Sequence, residues 1–249
     1  MDVVYALWVR NFKRYIRSKS RMIGSLGMPL FFLVIIGSGL NSVISMPGLG
    51  ENYVQFMMPG VVAMTVLFAA MFAGIQIIWD RQFGFLKETL VAPVSRLEIM
   101  LGQTLGGATT SLVQGLIILI IGVLFVGSSV SVAGFLLALV FMFLIGVSFT
   151  ALGISFATRM EDMHAFPIVM NFVVFPLFLL SGAMFPLSRL PGWLKVITFL
   201  DPMTYGVEGL RYGLLGVSQI PPLAAFGVLF AFAAALLIIG GWLFQTMRI

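Results

Sequence analysis

Six stretches of this chain, at about 22–44, 54–78, 104–126, 132–157, 165–187 and 223–245, are apolar for more than 20 residues each. About 20 such residues are what one helical crossing of a bilayer needs. In hydrocarbon every backbone N–H and C=O must find a partner within the protein, which leaves helices as the form these stretches can take. The rest of the composition agrees. The chain is 60% hydrophobic and 9% charged, where soluble domains carry about a quarter charged residues. The reading is an all-α membrane protein: one transmembrane domain over residues 1–249, with six transmembrane helices.

The charges between the stretches orient them. Arg10, Lys13, Arg14, Arg17, Lys19 and Arg21 precede the first stretch. Arg81, Lys87 and Arg96 follow the second, Arg159 follows the fourth and Arg248 ends the chain. These are eleven of the fourteen basic residues; Arg189, Lys195 and Arg211 lie on the other side. The positive-inside rule makes the eleven-residue side cytoplasmic, with both termini inside a multi-pass protein of the plasma (cytoplasmic) membrane. The net charge of +5 is thereby assigned to topology and membrane lipids, with no nucleic acid as partner. The apolar run after the basic segment is too long for a signal peptide, and no cleavage is expected.

Segment 1–21 has a pattern of its own. At 100° per residue, Val4, Tyr5, Trp8, Phe12, Tyr15 and Ile16 fall opposite Arg10, Lys13, Arg14, Arg17 and Arg21. Such a division predicts an amphipathic helix in the plane of the headgroups; a basic flank that only sets topology is the plainer reading.

Absences narrow the function. No Asp, Glu, Lys or Arg sits securely inside an apolar stretch; Asp80, Arg81, Arg159, Glu161 and Asp162 fall at ends. Ion-coupled carriers usually keep such a residue near mid-membrane. There is no phosphate-binding G-x-x-x-x-G-K-[ST] stretch, no G-x-S-x-G and no paired carboxylates, so a non-catalytic chain without cofactor or metal is expected. Cysteine is absent and the lone histidine, His164, reads as an interfacial residue. Gly107, Ser111 and Gly115 recur every four residues on the third stretch, with Gln114 nearby. Close helix packing is the default for that spacing, and lining of a transport path is the alternative.

Segment 79–102 interrupts the apolar pattern with a helix-prone piece. Gly84 weakens the helix leaving the second stretch. Phe83, Leu86 and Leu90 share one face of the two turns that follow, and Pro93 ends them. Ser95 with Glu98 makes an S-x-x-E capping box that starts the next helix. A short amphipathic helix held between two breaks suits docking into a groove on a soluble partner; a solvated loop is the alternative.

This segment, "LKETLVAPVSRLEIMLGQ", resembles the cytoplasmic loop of type 2 ABC exporter permeases. A second stretch, "SGAMFPLSRLPGWLKVITFLDPMTYGVEGLRYGLLG" from Ser181 to Gly216, resembles their re-entrant helices before the last span. The resemblance implies a permease that pairs in the membrane, as a homodimer, with two copies of a separate ABC ATPase subunit carrying ATP and Mg. It implies that Gly84, Phe85, Leu86, Glu88, Leu90 and Pro93 form the ATPase-coupling segment, and that Arg14 and Arg17 face the ATPase or lipid phosphate. Pro186, Pro191, Trp193, Pro202 and Tyr205, within 181–222, would form an extracellular gate. On its own residues that segment reads equally as an exit cap or as a helix on the lipid surface. Phe68, Met71, Phe72, Phe172 and Phe175 are expected along an uncharged path, which suits efflux of an amphipathic, drug-like or lipid-like cargo. A lipid-linked polysaccharide is the alternative within the class, and an ion-coupled secondary transporter is the alternative outside it.

Overall fold

The structure is a computed structural model that describes residues 2–41, 52–85, 94–127, 129–160 and 162–246. Among the described residues every regular element is helical. Among them six helices are long and apolar enough to cross a membrane: Met22–Asn41, Tyr53–Gln82, Arg96–Val126, Val132–Arg159, Met163–Leu180 and Pro222–Gln245. Helix Asp2–Arg17 precedes them. A 3-10 turn at Leu187–Arg189 and the short helices Gly192–Leu200 and Pro202–Leu215 lie between the fifth and sixth spans.

Local chemistry sets the ends. The third span begins at Arg96, eight residues before its apolar stretch. The Ser95 side chain accepts the Glu98 N–H while the Glu98 carboxylate accepts the Ser95 N–H at 3.2 Å. This reciprocal cap satisfies two donors that a helix start leaves orphaned. The second span runs on to Gln82, which brings Asp80 inside its helix, and then gives way at Gly84, whose φ is +80°. The fifth span stops at Leu180, short of the expected 187. Gly182 turns the chain there with φ +73°, and a Cβ on it would meet the Leu187 side chain at 2.5 Å.

The second span is the axis of the bundle, buried along most of its length, whereas the equally apolar sixth span is mostly unburied; a helix apolar on all sides can face either protein or lipid. The third and fourth spans and helix Pro202–Leu215 pack around it. Small residues bring backbones together: a Cβ on Gly74 would stand 2.4 Å from the Gly153 carbonyl carbon of the fourth span. The Gly107–Ser111–Gly115 stripe packs in the same way. Gly107 abuts Thr150 and Ala73, Gly115 abuts Val66 and Met142, and Ser111 meets Gly146.

The first and fifth spans are the least buried. Each carries a proline followed by a π-helical segment, Pro29 before Phe31–Ile36 and Pro167 before Met170–Val174. A π-helical turn widens the helix locally, a distortion frequent at functional sites. Phe32 and Phe178 join the two spans edge to face, 6.2 Å between centroids.

Candidate functional site: a cavity with a polar hub at one end

Between helix Asp2–Arg17 and the first, second, third and fifth spans lies a cavity of about 840 Å³. The second span lines it from Met64 to Trp79, which at 1.5 Å per residue is about 22 Å. Phe32, Met64, Phe68, Phe72, Met170 and Phe175 make its apolar wall, and Asn11, Gln76, Gln103 and Gln114 add neutral polar groups. Arg14 and Trp79 stand at one end, the guanidinium 5.6 Å from the indole centroid. A mostly apolar wall with a few convergent polar groups is the usual make-up of a small-molecule site. Among the described residues no group of three or more His, Cys, Asp or Glu could hold a metal.

The expected path residues divide. Phe68, Phe72 and Phe175 line the cavity. Met71 is wholly buried, with its backbone against Gly153 of the fourth span. Phe172 is 79% exposed and outside the lining.

A hub at Asp80 lies beside the Trp79 end. This carboxylate is buried and accepts from Arg10 at 2.6 Å and from Gln76 at 2.6 Å, with Gln103 at 3.4 Å and Arg14 at 3.8 Å. Asn11 donates to the Gln103 side-chain carbonyl at 2.7 Å, and the Trp8 indole N–H to the Thr109 hydroxyl at 2.9 Å. Helix Asp2–Arg17 is therefore fastened to two spans. Gly102 and Gly106 permit the approach; a Cβ on Gly106 would sit 2.6 Å from the Asn11 amide. The protein-facing side is Leu7, Asn11 and Tyr15; Tyr15 belongs to the aromatic face of the sequence division, whereas Leu7 and Asn11 fall on neither face. Tyr5 and Ile16 remain exposed.

Gly84 and Phe85 follow at once, with the Arg10 guanidinium 4.2 Å over the Phe85 ring. Leu86, Glu88, Leu90 and Pro93 lie outside the described residues. Arg17 is exposed on the basic face.

The expected gate residues mark the breaks of the segment between the fifth and sixth spans. Pro186 precedes the 3-10 turn, Pro191 precedes Gly192–Leu200, and Pro202 opens the next helix. The Tyr205 hydroxyl donates to the Phe199 carbonyl at 2.8 Å, tying the two short helices together, and Trp193 is exposed. Sequence reasoning missed the buried polar pair beneath them. Glu208 and Arg211 are fully buried; the carboxylate accepts from the Arg211 guanidinium and from the Gln219 N–H. Arg211 also donates to the Gly182 carbonyl at 2.9 Å and lies 4.2 Å over the Phe56 ring. The available signal was an acid and a base three apart on an otherwise uncharged helix, "PMTYGVEGLRYGLL". Asp201 caps that helix by accepting the Met203 N–H at 2.9 Å, and its other oxygen is buried without a partner. Burial pushes this carboxyl up to about 7, against a smaller opposite pull from the Met203 N–H.

A family model described as "ABC-2 type transporter" matches residues 2–215. The chain is 29% identical over 252 residues to the inner membrane transport permease YadH of Escherichia coli strain K12, covering 98% of this chain and 94% of that one. It is 30% identical over 213 residues to a protein of Cyanophora paradoxa named as transport permease ycf38, covering 84% and 73%. Nodulation protein J of Rhizobium meliloti is 26% identical over 217 residues, covering 85% and 80%.

Proposed function

The chain belongs to the ABC-2 type transporter family, and from that premise we propose that it is the permease subunit of an ATP-driven exporter. Two copies pair in the membrane and engage two copies of a separate ATPase subunit that holds ATP and Mg. The basic side, with both termini and segment 79–102, faces the cytosol. An amphipathic, drug-like or lipid-like cargo enters the cavity and leaves outward.

One observation carries this reading: the cavity and the proposed coupling segment share a wall. Phe85, at the start of that segment, stacks under Arg10; Arg10 pairs with Asp80; and Asp80 belongs to the helix that lines the cavity from Met64 to Trp79. Displacement of the segment by an ATPase would thus load the N-terminal helix and the second span together. The first and fifth spans, distorted at their π-helical turns, are the walls with fewest protein contacts to oppose their separation.

Reconstitution in vesicles tests it. The chain with its ATPase partner and ATP is expected to move a fluorescent amphiphile, and the chain alone under a proton or sodium gradient is expected to move none. Cargo movement by the chain alone down an ion gradient would overturn the reading in favour of a secondary carrier.

A further inference from the structure

Two hollows meet at Arg14. One is the apolar cavity already described, which Arg14 borders beside Trp79. The other is shallow, about 710 Å³, and follows the bend from helix Asp2–Arg17 into the first span. It is lined by Arg10, Lys13, Arg14, Arg17 and Lys19 with Ser18 and Ser20. Among the described residues no Asp or Glu lines it. Behind that lining Asp80 pairs with Arg10 at 2.6 Å and stands 3.8 Å from Arg14, so the net positive field comes from Lys13, Arg17 and Lys19, and it opens through Arg14 onto a long, mostly apolar chamber.

This juxtaposition distinguishes between kinds of amphiphile. A cationic head would meet the net positive charge of Lys13, Arg17 and Lys19 at the entrance. A neutral head would leave them solvated and gain nothing from them. An anionic head can be held by guanidinium and ammonium donors while its apolar body continues past Trp79 toward Phe72, Phe68 and Phe175. We propose that the site selects amphiphiles with an anionic, phosphate-type head, the head held at Lys13, Arg14, Arg17 and Lys19 and the chain in the cavity. This rests on reading the cavity as the cargo site. A basic patch that merely attracts anionic lipid would enrich it around the helix without seating a chain inside, so the measurement must report from within.

Trp79 can report from there, because it lines the cavity and the chain has only three other tryptophans, Trp8, Trp193 and Trp242. The full chain with those three changed to Phe is titrated with dodecyl phosphate brominated on its chain, and with the equally brominated dodecylphosphocholine. Quenching of Trp79 by the phosphate is expected at about tenfold lower concentration, the factor that one or two cation contacts supply. Lys13→Gln with Lys19→Gln should reduce that preference several-fold and leave choline binding unchanged. Phe68→Ala with Phe72→Ala should weaken both. Variants are compared only where their thermal midpoints match the parent, and Arg14→Lys, which keeps the charge, should keep the preference. Displacement by unlabelled phosphatidylglycerol would identify the source as a bilayer lipid, and displacement by dodecyl phosphate alone a single-chain cargo; both outcomes support the proposal. Equal quenching by the two heads, or a preference untouched by the lysine substitutions, would overturn it. Lost preference with ATP-driven export intact removes only this inference, whereas selective binding without ATP-driven export removes only the export reading.

Discussion

Glu208→Gln is a change of one heavy atom at a site with no solvent. In the native chain the Glu208 carboxylate serves two donors, the Arg211 guanidinium and the Gln219 backbone N–H, with neither charged side chain exposed. Glutamine offers one carbonyl oxygen, so one of those donors faces an NH2 group. Arg211 keeps the Gly182 carbonyl and the Phe56 ring but loses its counter-charge. Removing one member of a buried pair costs about 3–5 kcal/mol, because the remaining charge stays desolvated. For a chain of this length each kcal/mol lowers the melting temperature by about 2–4 °C, so a fall of about 6–20 °C is expected. Thermal unfolding of the purified chain in nanodiscs, followed by fluorescence, reads it directly. Glu208→Leu combined with Arg211→Met removes both charges and should lie within about 2 kcal/mol of the parent, or above it. A single variant within about 3 °C of the parent, or a double variant worse than the single, would refute the argument that an uncompensated charge sets the cost.

Asp201→Asn keeps the Met203 cap without the charge. Since the folded chain holds a proton to about pH 7 that the unfolded chain releases near 4, native stability should fall as pH rises across that window. The variant should therefore gain on the parent from pH 4 to 7 and hold a constant lead above it; parallel pH profiles would contradict this. Gly74→Ala forces a Cβ to within 2.4 Å of the Gly153 carbonyl carbon and should cost about 1–3 kcal/mol, whereas Gly227→Ala, with open space around it, should be neutral in the same melt. Asp80→Asn unpairs Arg10, and hydrogen exchange should accelerate at least about tenfold over Asp2–Arg17; unchanged protection there would show that the hub does not fasten the helix.

Much of this protein was legible one segment at a time. Hydrocarbon obliges each spanning stretch to close its own backbone hydrogen bonds, so length and polarity within a stretch suffice to find six helices. The breaks are local as well: the Ser95–Glu98 box, the prolines at 191 and 202, and Gly84 act through neighbours a few residues away. What the sequence could not determine is which sides of the helices meet. The second span is apolar all round and therefore has no contrast at the helical period. Nothing in its letters separates Phe68, in the cavity wall, from Met71, packed on the fourth span. The polar contacts that decide the assembly are remote in sequence. Asn11 meets Gln103 across 92 positions, Arg10 meets Asp80 across 70, and Arg211 reaches the Gly182 carbonyl across 29. Their partners are selected only when the glycine-lined backbones come together and bury them, because a polar group taken out of water must then bond with whatever donor or acceptor the packing has brought within reach.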